Sequence, residues 1–486
     1  MAARGMTALL IAFLALAGYT LAFGAACHAL LHKRDSQAAL AWVAFIVLVP
    51  YVGTVAYLLV GVSRVDSHAA QLLSSAAEAQ EQADTLLDRR LPPPAPLIPP
   101  GEAAPPEQTV ARVGRALTGR DPLGGNELVL LRNGEEAYPA MLAAINEAAS
   151  HVYLSTYMFK GGLTGKAFAD ALERAAGRGV DVRLLVDGLG GSLYSWDKPW
   201  RRLGEAGVQV RRFLPPSLFP PDFSINLRTH RKVLVCDGLV GFTGGMNIGD
   251  HHLAGLPGKH QVQDIHFRCA GPVAVLLQEA FLMDWAFVTR RQTVPPMVTP
   301  VPQGTSYCRL VFDGLGRGRD DIHELLCGVI GGARERVAVM TPYFLPPREL
   351  SSALVSAALR GVDVRLILPA VNNLPYVHRA SRHMQPGLIR KGVRIFFQPP
   401  PFAHTKLLLV DDYYALIGSA NLDPRSLFLN FELNMEVFDP AFCSAMYDYF
   451  SEVLSRSAEA TPDYYARRHL PRRLLDAAFW LFSPYL

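Results

Sequence analysis

The chain has 486 residues, of which 50% are hydrophobic and only 19% are charged, and its mean hydropathy is +0.16. This length allows two to four folded units, and the apolar composition excludes a disordered chain. A net charge of +4 without a dense run of Lys and Arg argues against a nucleic-acid-binding protein. Six scattered cysteines without a CxxC pair argue against a disulfide framework or a zinc site.

Two long apolar segments open the chain. Met6–Cys27 contains 22 residues without a charge and Ala38–Val62 contains 25, and both exceed the ~20 residues needed to span a bilayer. The polar residues 32–37 separate them. A single basic residue, Arg4, precedes the first segment, which is also longer than the apolar region of a signal peptide. Residues 1–66 are therefore predicted to form two transmembrane helices, with Trp42, Tyr51 and Tyr57 as candidate interfacial anchors.

A polar stalk and a linker are predicted next, over residues 67–108. Residues 67–90 are rich in Ala, Gln, Glu and Leu, and Leu91–Pro106 contains eight prolines. Such proline-rich sequence favours an extended spacer.

The remainder of the chain contains an internal repeat. Arg178–Leu184 recurs residue for residue as Arg360–Leu366, 182 positions later, and each copy opens an apolar run typical of a buried strand. Ser155–Phe159 and Met340–Phe344 match at nearly the same offset. Helix-then-strand alternation predicts two similar α/β/α lobes, residues 109–300 and 301–486, each with a mixed, mostly parallel sheet.

A third match carries the reactive side chains. Both copies read H-x-K-x4-D, followed by a small residue at +15 and Asn at +17. The residues are His230, Lys232, Asp237, Gly245 and Asn247 in the first copy, and His404, Lys406, Asp411, Ser419 and Asn421 in the second. On a strand, residues i and i+2 share a face, so the imidazole and the ammonium point to the same side. This set of side chains suits the binding of a phosphoryl group and the stabilisation of its charge. For the two aspartates, a structural role at the strand ends is at least as well supported as a catalytic one.

The paired motifs resemble those of the phospholipase D superfamily. Over essentially its whole length the chain is similar to the bacterial cardiolipin synthases that carry an N-terminal membrane hairpin. The matching segments are Lys33–Trp42, Pro50–Gly53, Asn226–Lys232, Gly244–Asp250, Gly418–Ser426 with Asn430, Glu432 and Asn434, and Leu481–Leu486. Thr229 is a departure, since Asn is expected before the first histidine.

The resemblance implies a bilobal phospholipase D fold and a phosphohistidine intermediate. It favours His230 as the nucleophile and His404 as the acid and base, although the pseudo-twofold repeat leaves the reverse open. Glu432 and Asp264 would orient the imidazoles, with a structural ion pair as the alternative for each. The lysines and asparagines of the motifs would bind the nonbridging oxygens, so no metal and no cofactor are expected.

The implied reaction transfers a phosphatidyl group from one phosphatidylglycerol to another and releases glycerol. The implied location is the inner (cytoplasmic) membrane of a bacterium, where the chain would be a multi-pass protein. Another acceptor (phosphatidylethanolamine, a free alcohol or water) is the alternative, and a nuclease is disfavoured. The expected partners are the phospholipid substrate and the membrane, no nucleic acid is expected, and a homo-oligomer is left open.

Two further features suit a lipid substrate. The Pro-rich loops Phe213–Phe223 and Phe396–Phe402 could receive acyl chains or pack between strands. The tail, with basic Arg467–Arg473 before apolar Leu474–Leu486, could be an interfacial helix or a docked one.

Overall fold

The computed structural model describes residues 2–33, 36–61, 106–193, 199–216, 227–256, 261–291, 298–313 and 320–483. The chain divides into two compact units, Met1–Gln71 and Leu72–Leu486. The expected stalk and nearly all of the Pro-rich linker lie outside the described residues, as do most of the loop Phe213–Phe223 and the last three residues.

The first unit is a helical hairpin with an interrupted second arm. Helix α1 covers Ala2–His32, whereas the second apolar segment forms α2 (Ser36–Leu48), α3 (Pro50–Ala56) and a π-helical turn (Tyr57–Gly61). Val49 has φ −136° and ψ 72°, outside the helical region, because the following proline restricts it. The second apolar segment is therefore interrupted at Val49.

Within the described residues, two helical stretches are long and apolar enough to cross a membrane, Ala15–His32 and Pro272–Thr289. The second of these is a largely buried core helix of the other unit. In the hairpin, many apolar side chains of α1 are exposed, including Phe13, Leu16 and Phe23. Such a surface suits hydrocarbon.

Small side chains bring the two arms of the hairpin together. Ala22, Ala25 and Ala29 pack against Ile46 and Tyr57. Tyr57 is fully buried and its hydroxyl lies 2.8 Å from His28 Nδ1. Tyr57 is predicted as an interfacial anchor, whereas in the structure its ring packs between the arms of the hairpin.

The second unit begins with α4 (Pro106–Thr118) and contains two lobes of similar topology. The first lobe comprises β1 Leu123–Arg132, α5 Asn133–Glu147, β2 His151–Thr156, α6 Gly162–Gly177, β3 Asp181–Asp187, β4 Gln209–Phe213, β5 Val233–Cys236, β6 Val240–Gly244, β7 Val262–Gln263, β8 Ile265–Ala270 and α7 Pro272–Thr289, with short helical turns at Gly190–Leu193, Pro199–Gly204 and Asp250–His252.

The second lobe repeats this order. It comprises β9 Ser306–Asp313, α8 Asp321–Gly332, β10 Arg336–Met340, α9 Arg348–Leu359, β11 Asp363–Pro369, α10 Pro375–Ile389, β12 Arg394–Gln398, β13 Phe402–Ala403, β14 Leu407–Val410, β15 Tyr414–Gly418, β16 Glu432–Phe438, α11 Pro440–Ser455, β17 Ala458–Glu459 and α12 Leu470–Trp480, with short helices at Pro424–Phe428 and Pro462–Ala466.

Fifteen strands of the described residues form one sheet that runs through both lobes, in the order β17-β12-β11-β10-β14-β15-β16-β9-β1-β8-β6-β5-β2-β3-β4. Only β2–β3–β4 and β10–β11–β12 pair in parallel, and every other neighbour pair in this sheet is antiparallel. The mixed α/β sheet is confirmed, whereas its mostly parallel character holds only in part, for β2–β3–β4 and β10–β11–β12. Connections of three residues, as between β5 and β6, permit only antiparallel pairing.

Helices cover both faces of the sheet. On one face, residues of α7 and α11 form a core that both lobes share. On the other face each lobe has a core of its own. Most of helix α4 falls in the range predicted for the first lobe, residues 109–300, yet its Val110 and Ala111 lie in the core of the second.

Candidate active site

The two H-x-K segments lie just before strands β5 and β14, not within them. Thr229 forms a β-bridge with Phe431 of the second lobe, and the His230 amide donates to the Phe431 carbonyl oxygen (2.9 Å). In the same way β13 pairs with β7, and the His404 amide donates to the Gln263 carbonyl oxygen (2.7 Å). Each histidine is thus held by the lobe that does not contain it.

The carboxylates follow the same crossed arrangement. His230 Nδ1 lies 3.0 Å from Glu432 Oε2, and His404 Nδ1 lies 2.8 Å from Asp264 Oδ2. Glu432 opens β16 and Asp264 immediately precedes β8, and both are buried. The sequence identified both acids but not that each serves the histidine of the opposite lobe.

The geometry at His230 fixes its tautomer. Besides Glu432, the Ser419 carbonyl oxygen lies 3.1 Å from His230 Nδ1, and both oxygens can only accept. Nδ1 therefore carries the hydrogen, which leaves the lone pair of the neutral ring on Nε2. This nitrogen has no hydrogen-bond partner among the described residues.

His404 differs in the position of its lysine. Lys406 Nζ lies 2.9 Å from Nδ1 and 3.1 Å from Nε2 of the His404 ring, and it donates to the His404 carbonyl oxygen at 2.6 Å. Lys232 Nζ makes the matching bond to the His230 carbonyl oxygen, also at 2.6 Å. Only His404 therefore has an ammonium against its ring.

Burial and the clustered cations discourage further positive charge. Burial lowers the pKa of His230, and burial followed by Lys406, Lys232 and His230 holds the pKa of His404 well below its usual value. Burial likewise lowers the pKa of Lys406 to about 8 and that of Lys232 well below its usual value. A bound phosphate would supply negative charge, which favours the protonated forms of these groups.

The carboxylates are not electrostatically equivalent. Burial opposes ionisation of Glu432, yet His230, Lys232 and the Ser419 hydroxyl hold its pKa below the usual value. Ser419 Oγ donates to Glu432 Oε2 at 2.5 Å and Asn430 Nδ2 donates to Oε1 at 3.1 Å. Asp264 faces Gly245, which occupies in the first lobe the position that Ser419 has in the second. Burial raises the pKa of Asp264 to about 6.

The two asparagines also differ. Asn247 Oδ1 accepts from the Met158 amide (3.2 Å), which leaves its NH₂ group without a partner among the described side chains. Asn421 Nδ2 donates to Ser426 Oγ (3.0 Å), and its buried Oδ1 has no described partner. Rotation of the Asn421 amide would let Ser426 donate to Oδ1 and would release the NH₂ group.

Asp237 and Asp411 lie at the far ends of β5 and β14 from the lysines. Each has a left-handed backbone, with φ of 55° and 50°, and each binds three consecutive backbone amides. The amides belong to residues 149–151 and 334–336, where the chain enters β2 and β10. This geometry favours the structural alternative for both aspartates.

Aromatic rings form walls that sequence reasoning missed. The Tyr157 ring lies 5.7 Å from that of His230, and the rings of Tyr343 and Phe402 lie 6.3 and 5.9 Å from that of His404. Tyr157 and Tyr343 follow the duplicated strands β2 and β10, and this matching position could have identified them as site residues. Within the described residues, no three His, Cys, Asp or Glu side chains are placed to hold a metal ion.

Comparisons with known proteins match both units. A family described as cardiolipin synthase, PLD-like domain, matches residues 141–264 and 326–454, and one described as phospholipase D-nuclease N-terminal matches residues 20–61. Cardiolipin synthase A of Pseudomonas putida (strain W619) is 33% identical over 471 residues, 95% of each chain. That of Pseudomonas aeruginosa (strain LESB58) is 35% identical over 471 residues, 95% of this chain and 93% of its own.

Among solved structures, phosphatidylserine synthase from Haemophilus influenzae superposes with a TM-score of 0.61 at 15% identity. The match covers 78% of this chain and all of that one. At this identity the likeness concerns the fold.

Proposed function

The chain belongs to the cardiolipin synthase family of phospholipase D-like proteins, and from this premise we propose that it joins two phosphatidylglycerol molecules into cardiolipin and glycerol. The observation that carries the proposal is the crossed pair of imidazole–carboxylate contacts, 3.0 and 2.8 Å, beside two buried lysines. We place the protein in the bacterial inner membrane, with both arms of the hairpin spanning the bilayer.

The first half-reaction starts at His230. Its Nε2 lone pair attacks phosphorus, and the bond from phosphorus to the glycerol oxygen breaks while His404 donates a proton to that oxygen. The products are a phosphatidyl-histidine and free glycerol. Glu432, ionised and bound to Nδ1–H, stabilises the positive charge that the phosphorylated ring acquires.

In the second half-reaction, His404 removes the proton from a hydroxyl of another phosphatidylglycerol. That oxygen attacks phosphorus, the P–N bond breaks, and cardiolipin leaves with His230 neutral. Lys232, Lys406 and Asn247 are the donors for the nonbridging oxygens. One phosphodiester replaces another, so the exchange is nearly thermoneutral and requires no nucleotide.

The product test uses the full chain in mixed micelles of detergent and phosphatidylglycerol with a chelator. Cardiolipin and glycerol should form in equal amounts, and added glycerol should reverse the reaction. His230→Gln should abolish turnover, whereas His323→Gln, on α8 of the second lobe, should not. Phosphatidic acid as the main product would identify a hydrolase instead, and a strict need for a divalent metal or a cytidine-diphosphate lipid would contradict the mechanism.

A second experiment separates the roles of the histidines. A lipid donor with a good leaving group needs little protonation, so it should still label the His404→Gln protein and never the His230→Gln protein. Labelling of the His230→Gln protein alone would reverse the assignment.

A further inference from the structure

A large groove lies on the second lobe, between α9, α10 and the C-terminal helix α12. Its volume is about 1030 Å³. This is at the upper end of the range for small-molecule sites. The residues of the catalytic cluster do not line it.

The charge of the groove is strongly one-sided. Six cations line it, and Asp476 is the single acid among the lining residues. The cations are Arg348, Arg382, Arg390, Lys391, Arg468 and Arg473. Asp476 is buried and occupied, with its carboxylate 2.5 Å from Arg468 and 3.6 Å from Arg379. The other five lining cations have no acidic partner among the described residues.

Neighbouring groups respond to this positive potential. Burial, followed by the charges of Arg382, Arg468 and Arg379, lowers the pKa of His378 to about 4. Arg382 Nε is buried without a described hydrogen-bond partner. An anion in the groove would offset the part of this pKa shift that the arginine charges cause, and it would compensate the charge of Arg382.

The rim of the groove is apolar. Leu359 is 72% exposed, Leu470 63% and Leu474 61%, and Trp480 lines the groove beside the ring of His383. Leu481 and Phe482 continue the exposed apolar surface beyond α12. Of the two alternatives for the tail, the structure favours the docked helix, because α12 packs on α10, and this helix also presents apolar side chains outward.

We propose that this groove binds an anionic phospholipid of the membrane surface, at a site separate from the catalytic one. The unpaired cations take the phosphodiester headgroup, and the exposed leucines and Trp480 meet the acyl region. A soluble phosphate ester would leave the apolar rim uncovered, and a zwitterionic lipid would leave the cations uncompensated.

The groove also adjoins the wall of the active site. Met384 lines the groove and packs, with Phe479 of α12, against a small apolar cluster (Leu345, Val377 and Ala380). Tyr343, whose ring lies 6.3 Å from that of His404, packs against the same cluster. A lipid in the groove would thus hold the lobe that carries His404 at the bilayer surface.

The experiment measures binding, not turnover. Full-length protein with both catalytic histidines changed to Gln is titrated in nonionic micelles with phosphatidylglycerol brominated on its acyl chains. Bromine quenches nearby indole fluorescence, and the same protein with Trp480→Phe isolates the contribution of Trp480. Brominated phosphatidylcholine and glycerol phosphate are the parallel titrants.

We expect saturable quenching of Trp480 by phosphatidylglycerol and at least tenfold weaker quenching by phosphatidylcholine. Changing Arg390, Lys391 and Arg473 to Gln should raise the half-saturating phosphatidylglycerol concentration at least tenfold. The matched control, with Lys166, Arg201 and Arg212 of the first lobe changed to Gln, should leave it unaltered.

Three results would overturn the proposal. Equal quenching by both lipids would mean an apolar surface without headgroup recognition. Displacement of phosphatidylglycerol by micromolar glycerol phosphate would mean a soluble phosphate ligand. A change from dimer to monomer in the groove variant, with quenching unaltered, would assign the groove to a second copy of the chain.

Discussion

Glu432 and Asp264 hold their charges to different degrees, and this difference distinguishes the two histidines. The pKa of Glu432 lies below its usual value, whereas that of Asp264 is raised to about 6 by burial. A firmly ionised partner stabilises a ring that becomes cationic when phosphorylated. A partner that titrates near pH 6 suits a ring that gains and loses a proton.

Glu432→Gln should therefore slow formation of the phosphatidyl-enzyme by about 10²–10⁴-fold, because an amide can present NH₂ to Nδ1 and favour the wrong tautomer. Asp264→Asn should affect its breakdown more than its formation with an activated donor. Rapid-quench labelling with that donor separates the steps. Equal effects of both substitutions on labelling would contradict the distinction.

Lys406 should set an alkaline limit on substrate affinity. Its pKa is about 8 in the empty site, so its charge is present below pH 8 and is lost above it. KM for phosphatidylglycerol should rise above pH 8, and Lys406→Arg should remove that rise, because guanidinium stays charged. The measurement is KM from pH 6 to 9.5. A rise that persists in Lys406→Arg would assign it to another group.

Asp411 should matter for stability and not for the chemical step. Asp411→Ala leaves three amides before β10 without their acceptor and places Ala at φ 50°. A loss of about 2–3 kcal/mol of unfolding free energy is expected, with kcat per folded molecule unchanged. Denaturant midpoints and active-site titration test this, with the exposed neighbour substituted in Asp412→Ala as control. A loss of kcat at full folding would restore the catalytic alternative.

At the scale of single elements, the repeated heptapeptide located β3 (Asp181–Asp187) and β11 (Asp363–Pro369) almost to the residue. Apolar runs alone do not indicate sheet direction, because buried antiparallel strands such as β5 and β14 are as uniformly apolar as parallel ones. The short connection from β5 to β6 was the signal for antiparallel pairing that the sequence offered. The crossed carboxylates had no such signal. The paired residues are 202 and 140 positions apart, and such contacts depend on how the lobes meet, which spacing along the chain does not encode.

Hydropathy located the second arm of the hairpin but not its break, because Pro50 contributes little to an average over 25 residues. Past the break, α3 packs on α1 where a glycine makes room. A Cβ at Gly18 would lie 2.2 Å from the Tyr51 ring, whereas one at Gly24 would meet no atom within 4 Å.

Gly18→Val should therefore destabilise the hairpin, by about 1–3 kcal/mol for an overpacked contact. Gly24→Val, on the same helix, is the matched control. Thermal midpoints of the full chain in detergent should fall only for the Gly18 variant. Equal midpoints for both would mean that α1 and α3 do not pack in this way.

At the scale of the whole catalytic unit, the strand order of one lobe is mirrored in the other about the β1–β9 pair. One core lies beneath both lobes, and α4 extends from the start of the unit into the core of the second. The duplication could be predicted from the sequence because identical segments recur. That residues of each lobe pack against the other lobe could not.

The crossed histidine–carboxylate pairs have a consequence for the descent of this protein. Neither lobe alone carries a complete pair, so an ancestor with a single lobe could have worked only as two chains facing each other. After the copies fused, a change in one lobe altered the half-site of the other. The two halves can therefore differ in partners such as Ser419 and Gly245, but neither half holds its histidine correctly without the other.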